Sequence, residues 1–398
     1  MKTKEIKDIR VGLISYAYTS KRNFIGATEA KYVNVRWLYR FTLRYWLNKL
    51  FPSTFRLDNA FKSPLFGSFF YDIMHFFNTI SYDKHPWITT GGGLVPWFEK
   101  EMQEYLFADM DISAVKNIKK MSQAIATVAS PYCKAIIVNS HHSFWMEKEL
   151  LKNFPQYKSS IECKLHMIYP PQKLIVNSLD EKKRYVQNNS KIIFMYVGVD
   201  YFRKGGLACL RAFESLAEKF NNFKFISIGA LRNDVPDVFD KQMEDDARRL
   251  ISKYNGTWLE HYDYLPNEQV MEFMKKANVG LLPTYSDVFG YSVLEFQACG
   301  CPVITTDVRA LREINPQNCG WVFSVGEKTK HNEIKNMNQV IEAYELEQKL
   351  ENTIKNILEE GTISDEMIQN SINRILEHHN PEYHQKQLTK IYLDAIGK

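Results

Sequence analysis

Two carboxylates, Asp287 and Glu295, stand eight positions apart in the stretch Pro-Thr-Tyr-Ser-Asp-Val-Phe-Gly-Tyr-Ser-Val-Leu-Glu that begins at Pro283. Phe289 and Gly290 lie between them, where a turn hands over to a helix start. The first amides of a helix have no partner inside it and carry the positive end of its dipole, an arrangement that favours a phosphate or pyrophosphate. Glu295, at least a turn further in, is within reach of ribose hydroxyls. Any single acid at such a place also reads as a cap or a dipole partner. The pair carries more weight because Ala298-Cys299-Gly300-Cys301-Pro302-Val303-Ile304 follows the helix and leads into a second buried strand.

A second charged constellation has the same setting. The apolar run Lys191–Val197 has strand length, and it ends in Gly198-Val-Asp-Tyr-Phe-Arg203-Lys204-Gly-Gly206 before a helical pattern at Leu207, Leu210, Phe213 and Leu216. Arg203 and Lys204 read either as an exposed loop pair or as two cations held for an anion. Further strands are expected over Phe223–Ile228 and Asn278–Pro283, with helices over Phe239–Tyr254 and Glu268–Lys276. Strands that alternate with helices imply a parallel sheet, and ligands of such sheets bind beyond the carboxyl ends of the strands. Gly198–Lys204 and Asp287–Gly290 both fall there, so two motifs distant in sequence converge in space.

The first half is less regular. Strands are expected at Val11–Ala17 and Ala135–Ser140, with a helix from Ala114 to Ala129, and the run Lys164–Tyr169 leads into two prolines. Pro170-Pro171 breaks regular structure and opens a polar stretch through Ser190, which places a domain boundary there. The expected organisation is an N-terminal domain over 1–172, a linker over 173–190, a C-terminal domain over 191–378, and a terminal helix within 379–398. A chain of 398 residues with 45% apolar content suits two globular domains. The six cysteines have no metal-ligand spacing, and Cys299-Gly-Cys301 is not a C-x-x-C pair, so reduced thiols in a cytosolic protein are expected. Val11–Ala17 is too short for a membrane span.

Charge is unevenly spread. Residues 1–62 carry 13 Lys and Arg against 4 Asp and Glu, whereas the whole chain is only +5. Within that basic end, Arg36, Arg40 and Arg44 recur at helical spacing among Trp37, Tyr39, Phe41, Tyr45 and Trp46. A basic, aromatic helix over 31–51 either lies on an anionic bilayer or is a core helix with a solvated arginine face. Nucleic-acid binding is the weaker reading, since no RNA-binding motif accompanies the patch.

The segment 283–307 resembles the donor site of family 4 glycosyltransferases, retaining nucleotide-sugar enzymes of the GT-B fold, whose signature is a carboxylate pair spaced E-x7-E. Here the first member is Asp287. The resemblance implies an α/β chain of two Rossmann-like parallel-sheet domains facing across a cleft, with a C-terminal helix crossing back to the first. The first domain would bind a glycan or lipid-linked acceptor and the second a UDP- or GDP-sugar. It implies that Lys204 and Arg203 meet the donor diphosphate, Asp287 the sugar hydroxyls, Glu295 the ribose, and Val288, Phe289, Gly290 and Tyr291 the phosphates or sugar through backbone. Gly198 ends the strand beside them. A departing nucleoside diphosphate accumulates negative charge that fixed cations stabilise, so no cofactor and no essential metal are implied. The chain departs from the family in two places. Val199 stands where many members carry an arginine, and Gly91, Gly92 and Gly93 stand where many carry a histidine or glutamate. The glycines either bring backbone amides to a ligand or make a flexible loop. Phe69–Asn78 resembles the family strand that ends in a histidine near the cleft and Pro86–Gly93 the next strand, so His75 is a further cleft candidate or a structural histidine. The implied setting is surface polysaccharide or glycolipid synthesis at the cytoplasmic face of the membrane. A nucleotide-sugar epimerase or phosphorylase on the same fold, or a degenerate transferase that only binds, are the rival readings.

Overall fold

The computed structural model describes residues 8–14, 18–39, 46, 50, 60–61, 67–96, 118–188 and 190–397. They divide into two compact units, one formed by Met1–Pro171 with His379–Lys398, the other by Gln172–His378.

In the first unit the strands are β1 (Ile9–Leu13), β2 (Ala30–Asn34), β3 (Ala60–Phe61), β4 (Ile73–Phe77), β5 (Ile80–Ser81), β6 (Trp87–Gly91), β7 (Cys133–Val138) and β8 (Leu165–Met167). Six of them form a parallel sheet in the order β2-β1-β4-β6-β7-β8, and β3 pairs with β5. Adjacent residues serve opposite faces, as a pleated strand requires. Ile73, Ile88 and Ile137 pack with Leu388, Ile391 and Tyr392 of the C-terminal helix Pro381–Ile396. Met74, Trp87, Ile136 and Val138 pack with Met121, Ile125 and Val128 of helix Ile118–Ala129. The terminal helix starts with Asn380, whose side chain takes the amides of Glu382 and Tyr383, and with Pro381, whose missing N–H costs nothing at a first helical position.

The second unit carries β9 (Ile192–Val197), β10 (Phe223–Ile228), β11 (Leu259–Tyr262), β12 (Val279–Leu282), β13 (Val303–Thr306) and β14 (Gly320–Phe323). They form one parallel sheet in the order β11-β10-β9-β12-β13-β14. The central strands β12 and β13 are buried along their whole length, which is why they read as unbroken apolar runs. Chain order reverses between β9 and β12, so the crevice beyond their carboxyl ends is the topological switch point of a doubly wound sheet. Both units are Rossmann-like.

The segment 173–190 differs from the linker expected for it. It packs into the second unit: the amides of Ile175 and Val176 both reach the Ala298 carbonyl, and residues Leu179–Val186 form a helix. Ser178 caps that helix by accepting the Glu181 amide, and Glu181 reaches back to the Asn177 amide. Lys182 is fully buried because its ammonium caps another helix, Asn267–Lys276, donating to the carbonyls of Met274, Lys275 and Ala277 at 3.4, 2.9 and 2.7 Å. Lys164 does the same in the first unit for helix Ile118–Ala129, through the carbonyls of Val128, Ala129 and Ser130.

Of the basic aromatic segment, Arg36–Tyr39 is a short helix, and residues 40–45 and 47–49, with Arg40 and Arg44, lie outside the described residues. The part of the Ala114–Ala129 helix before Ile118 also lies outside them. Among the described residues no helix is long and apolar enough to cross a membrane.

Candidate functional site

The site is built from the two loops at the switch point. After β9, Gly198 spends its amide on the Ile228 carbonyl at 3.1 Å, closing the strand, and Val199 stands out in solvent. The chain then turns through Asp200–Gly205 into helix Gly206–Leu216. Gly205 has φ +84°, and a Cβ there would overlap the carbonyl oxygen of Pro283, at the end of β12. The absence of a side chain is therefore what lets the two loops touch. Further ties cross the gap: the Tyr285 amide donates to the Arg203 carbonyl at 2.9 Å, and the Thr284 hydroxyl shares its one proton between the carbonyls of Arg203 and Ser286.

These ties place the charged side chains. Lys204 pairs with Asp287 Oδ2, while Asp287 Oδ1 accepts the Phe289 amide at 3.2 Å. Burial alone would raise the Asp287 pKa; the charge and hydrogen bond of Lys204, the Phe289 amide and the charge of Arg203 together hold it below the usual carboxylate range. Arg203 is gripped by three acceptors, with Nη2 on Asp200 at 2.6 Å, Nε on Asp234 at 2.7 Å and Nη1 on the Ser286 carbonyl at 2.8 Å. Helix Tyr291–Ala298 begins at Gly290, whose φ of +87° lets the chain turn sharply from the Asp287 loop into the helix axis. Val288 and Tyr291 are partly buried and Phe289 is buried, its ring 5.2 Å from that of Tyr291. Glu295 sits one turn into the helix and is 9% exposed. The motif residues of the second unit are thus brought to one crevice: two cations, a partly buried carboxylate and the amino end of a helix.

A third layer, not visible in the sequence, lies beneath. Arg309 and Glu333 form a buried ion pair, and the second oxygen of Glu333 accepts the Ser286 hydroxyl at 3.2 Å. Burial pulls the Arg309 pKa down to about 10 against the opposing charge of Asp287, while Arg203 lowers it further, so Arg309 stays cationic at neutral pH. The only sequence signal for this layer is a polar run, Glu327–Glu333, after the last strand.

Among the described residues of the first unit, the candidates His75 and Gly91–Gly93 are engaged within that unit. His75 is 1% exposed in the middle of β4, with Nδ1 2.7 Å from the Tyr392 hydroxyl, Nε2 2.8 Å from Thr90 Oγ1, and its ring stacked on Phe24. Burial, helped by the charge of His384, pulls its pKa down to about 3. His75 is therefore a neutral core histidine tying the sheet to the C-terminal helix, and not a cleft residue. The Gly91–Gly93 turn is held from inside as well. The Gly92 amide donates to Asn78 Oδ1 at 2.9 Å and its carbonyl accepts the Ser143 hydroxyl at 3.1 Å, so this turn is a fixed structural corner with the Gly92 amide already committed. Gly91 is buried at the end of β6. The six cysteines form no disulfide, and five of them are buried.

Residues 177–358 match the family model described as glycosyl transferases group 1. Among curated proteins, the capsular polysaccharide biosynthesis glycosyltransferase CapM of Staphylococcus aureus is 28% identical over 152 residues, 38% of this chain and 37% of CapM. The lipopolysaccharide glucosyltransferase WaaG of Escherichia coli K12 is 27% identical over 163 residues, 39% of this chain and 40% of WaaG. The alignments thus span about two fifths of the length of these relatives. Among solved structures, a glycosyltransferase from Rickettsia africae ESF-5 superposes with a TM-score of 0.57 at 12% identity, covering 98% of this chain and 99% of that one. Anabaena HepE in complex with UDP-glucose gives 0.51 at 12% identity over 81% and 79% of the two chains. At such identities the structures speak for the fold, two Rossmann-like domains of the GT-B class. The family match falls wholly within the second unit.

Proposed function

We propose that the protein is a retaining glycosyltransferase that moves a sugar from a UDP- or GDP-sugar to a hydroxyl of a glycan or lipid-linked glycan, without an essential metal. The observation that carries this reading is the meeting of Lys204, Arg203 and Asp287 with the start of helix Tyr291–Ala298 at the switch point of the sheet. In the reaction the bond from the anomeric carbon to the diphosphate oxygen breaks, a bond to the acceptor oxygen forms on the same face, and the proton of the acceptor hydroxyl leaves with the diphosphate. Charge builds on the departing diphosphate, where Lys204, Arg203 and the helix start stabilise it. Asp287 accepts hydrogen bonds from sugar hydroxyls and Glu295 from the ribose. CapM, WaaG and an O-antigen chain mannosyltransferase from Escherichia coli are named for capsule, lipopolysaccharide and O-antigen work, which favours a surface polysaccharide or glycolipid as the acceptor.

The test is calorimetric titration with a panel of UDP-, GDP-, ADP- and dTDP-sugars in EDTA, alongside Lys204→Ala and Glu295→Ala. One donor binds wild type and is lost in both variants. A folded wild-type protein that binds none of the panel refutes the donor site, and binding with neither transfer nor hydrolysis leaves a nucleotide-sugar-binding protein.

We also place the first unit against an anionic membrane surface at the cytoplasmic face. Trp37, Phe69 and Phe70 are exposed beside Arg36, with the Trp37 and Phe70 rings 5.0 Å apart, and Trp46 and Leu50 are exposed as well. Such residues partition to the headgroup level and basic neighbours add attraction to anionic lipid. Flotation with phosphatidylglycerol vesicles is expected to carry the protein, and Trp37→Ser with Phe70→Ser to weaken it; equal flotation with neutral vesicles refutes the electrostatic part.

A further inference from the structure

Residues 329–333 lie far along the chain from both site loops, yet they reach beneath them. The carboxylate of Glu333 is fully buried, which is costly unless its oxygens are satisfied. One oxygen takes Arg309 Nε and the other the Ser286 hydroxyl at 3.2 Å. Arg309 itself has φ +42° and Asn332 φ +58°, left-handed conformations that side-chain-bearing residues seldom adopt. The two strained residues hold each other: the Arg309 amide donates to the Asn332 carbonyl at 3.2 Å, and Asn332 Nδ2 donates to the Asp307 carbonyl at 2.6 Å. Glu333 is fixed from its own side, its amide on Thr329 Oγ1 at 3.2 Å and its carbonyl on the Thr329 amide at 2.8 Å. A buried ion pair and two left-handed residues are therefore concentrated under a single residue of the site, Ser286.

Ser286 is the junction between the two loops. Its carbonyl holds Arg203 Nη1 at 2.8 Å, its amide donates to Thr284 Oγ1 at 3.2 Å, and the next residue is Asp287. We infer that Glu333, anchored by Arg309, is a positioning residue that fixes Ser286 through its hydroxyl and so sets Arg203 and Asp287 for the donor diphosphate and sugar. The inference rests on the donor-site reading and adds a residue outside both motifs to it. Glu333 never touches the donor; it acts along the path from its carboxylate to the Ser286 hydroxyl, the Ser286 carbonyl and the Arg203 guanidinium.

Glu333→Gln leaves Arg309 with a buried charge and less to pair with, so it risks the fold. Ser286→Ala is the cleaner variant, since it cuts the relay and leaves the Arg309–Glu333 pair intact. Titration with UDP, GDP, ADP and dTDP is expected to show about tenfold weaker binding of the cognate nucleotide in Ser286→Ala, the effect of one hydrogen bond to a charged group, and near-wild-type binding in Ser286→Thr. In an Arg203→Ala background the same substitution is expected to add nothing, because the group it positions is gone. A merely structural role predicts the same loss in both backgrounds. Wild-type affinity in a folded Ser286→Ala, or a full additive loss in the double variant, overturns the inference and leaves the donor site standing. A wild-type protein that binds none of the four nucleotides overturns the donor site and the inference together.

Discussion

Replacing Glu147 by glutamine is expected to stabilise the first unit, and to do so only above acidic pH. Glu147 lies in helix His141–Leu151 with its side chain fully buried. One carboxylate oxygen accepts the Val95 amide at 3.0 Å, and the other has no hydrogen-bond partner among the described residues. Burial pushes its pKa up to about 8, with the Val95 amide pulling weakly the other way. Between the ordinary value of 4.5 and about 8, the native state keeps a proton that the unfolded chain has lost. Native thus binds more protons than unfolded, and stability falls as pH rises through that window. At about 1.4 kcal/mol per pH unit the ceiling is about 5 kcal/mol, and relaxation around the charge reduces it in practice. Glutamine keeps an oxygen for the Val95 amide and carries no charge. Paired urea titrations of wild type and Glu147→Gln, followed by near-ultraviolet signals of the tryptophans, are expected to coincide near pH 5 and to separate by roughly 2 kcal/mol or more at pH 8. A difference that is flat with pH, or a variant less stable than wild type at pH 8, refutes the reasoning. The result also bears on the Gly91–Val95 corner, which Glu147, Ser143 and Asn78 pin from three sides.

Gly205→Ala must place a side chain on a left-handed residue against the Pro283 carbonyl; a loss of at least about 2 kcal/mol is expected, and nucleotide binding measured by calorimetry should fail at temperatures where circular dichroism still reports a folded sheet. Lys182→Met keeps the apolar stem and strips the cap from three carbonyls at the C-terminal end of helix Asn267–Lys276, those of Met274, Lys275 and the following Ala277. A loss of about 2–3 kcal/mol in urea unfolding is expected, where an exposed lysine would give almost none.

The interior strands are legible because parallel strands covered on both faces are continuous apolar runs, and Phe223–Ile228 has the bounds its run predicts. The edge strands β2, β11 and β14 are partly exposed and carry no such run, and they escape the sequence reading. The helix start at Gly290 was legible for a different reason: glycine before an apolar helical pattern is local information. What escaped was set by partners far along the chain. Ser178-Leu-Asp-Glu181 carries a capping signature in plain sight, yet the polar residues around it outweighed it, and nothing near Lys182 says that the carbonyls it caps lie at Met274, Lys275 and Ala277. His75 reads as a cleft candidate until Tyr392 and Thr90 are seen to take both its nitrogens. Glu333 stands in a polar run that does not single it out, because a buried acid is recognisable only from the arginine that neutralises it.

The two cations that the sequence presents as a pair differ in kind. A guanidinium has five N–H groups, and Arg203 commits three of them to Asp200, Asp234 and Ser286. An ammonium has three, and Lys204 commits one to Asp287. Each therefore retains two donors while remaining held by a carboxylate or carbonyl, so a diphosphate can be engaged without breaking any of these contacts. Asp287 is in the same position: each of its oxygens accepts one bond, to Lys204 or to the Phe289 amide, and keeps a second lone pair for a sugar hydroxyl. Groups that stay fixed while charge develops need no reorganisation during the reaction, which is the condition under which electrostatic stabilisation is largest. The shortened carboxylate fits this arrangement. An aspartate at 287 is short enough to accept its own loop's amide two residues on and to face Lys204 at once, and the longer arm of a glutamate would move the charge away from the turn that holds it.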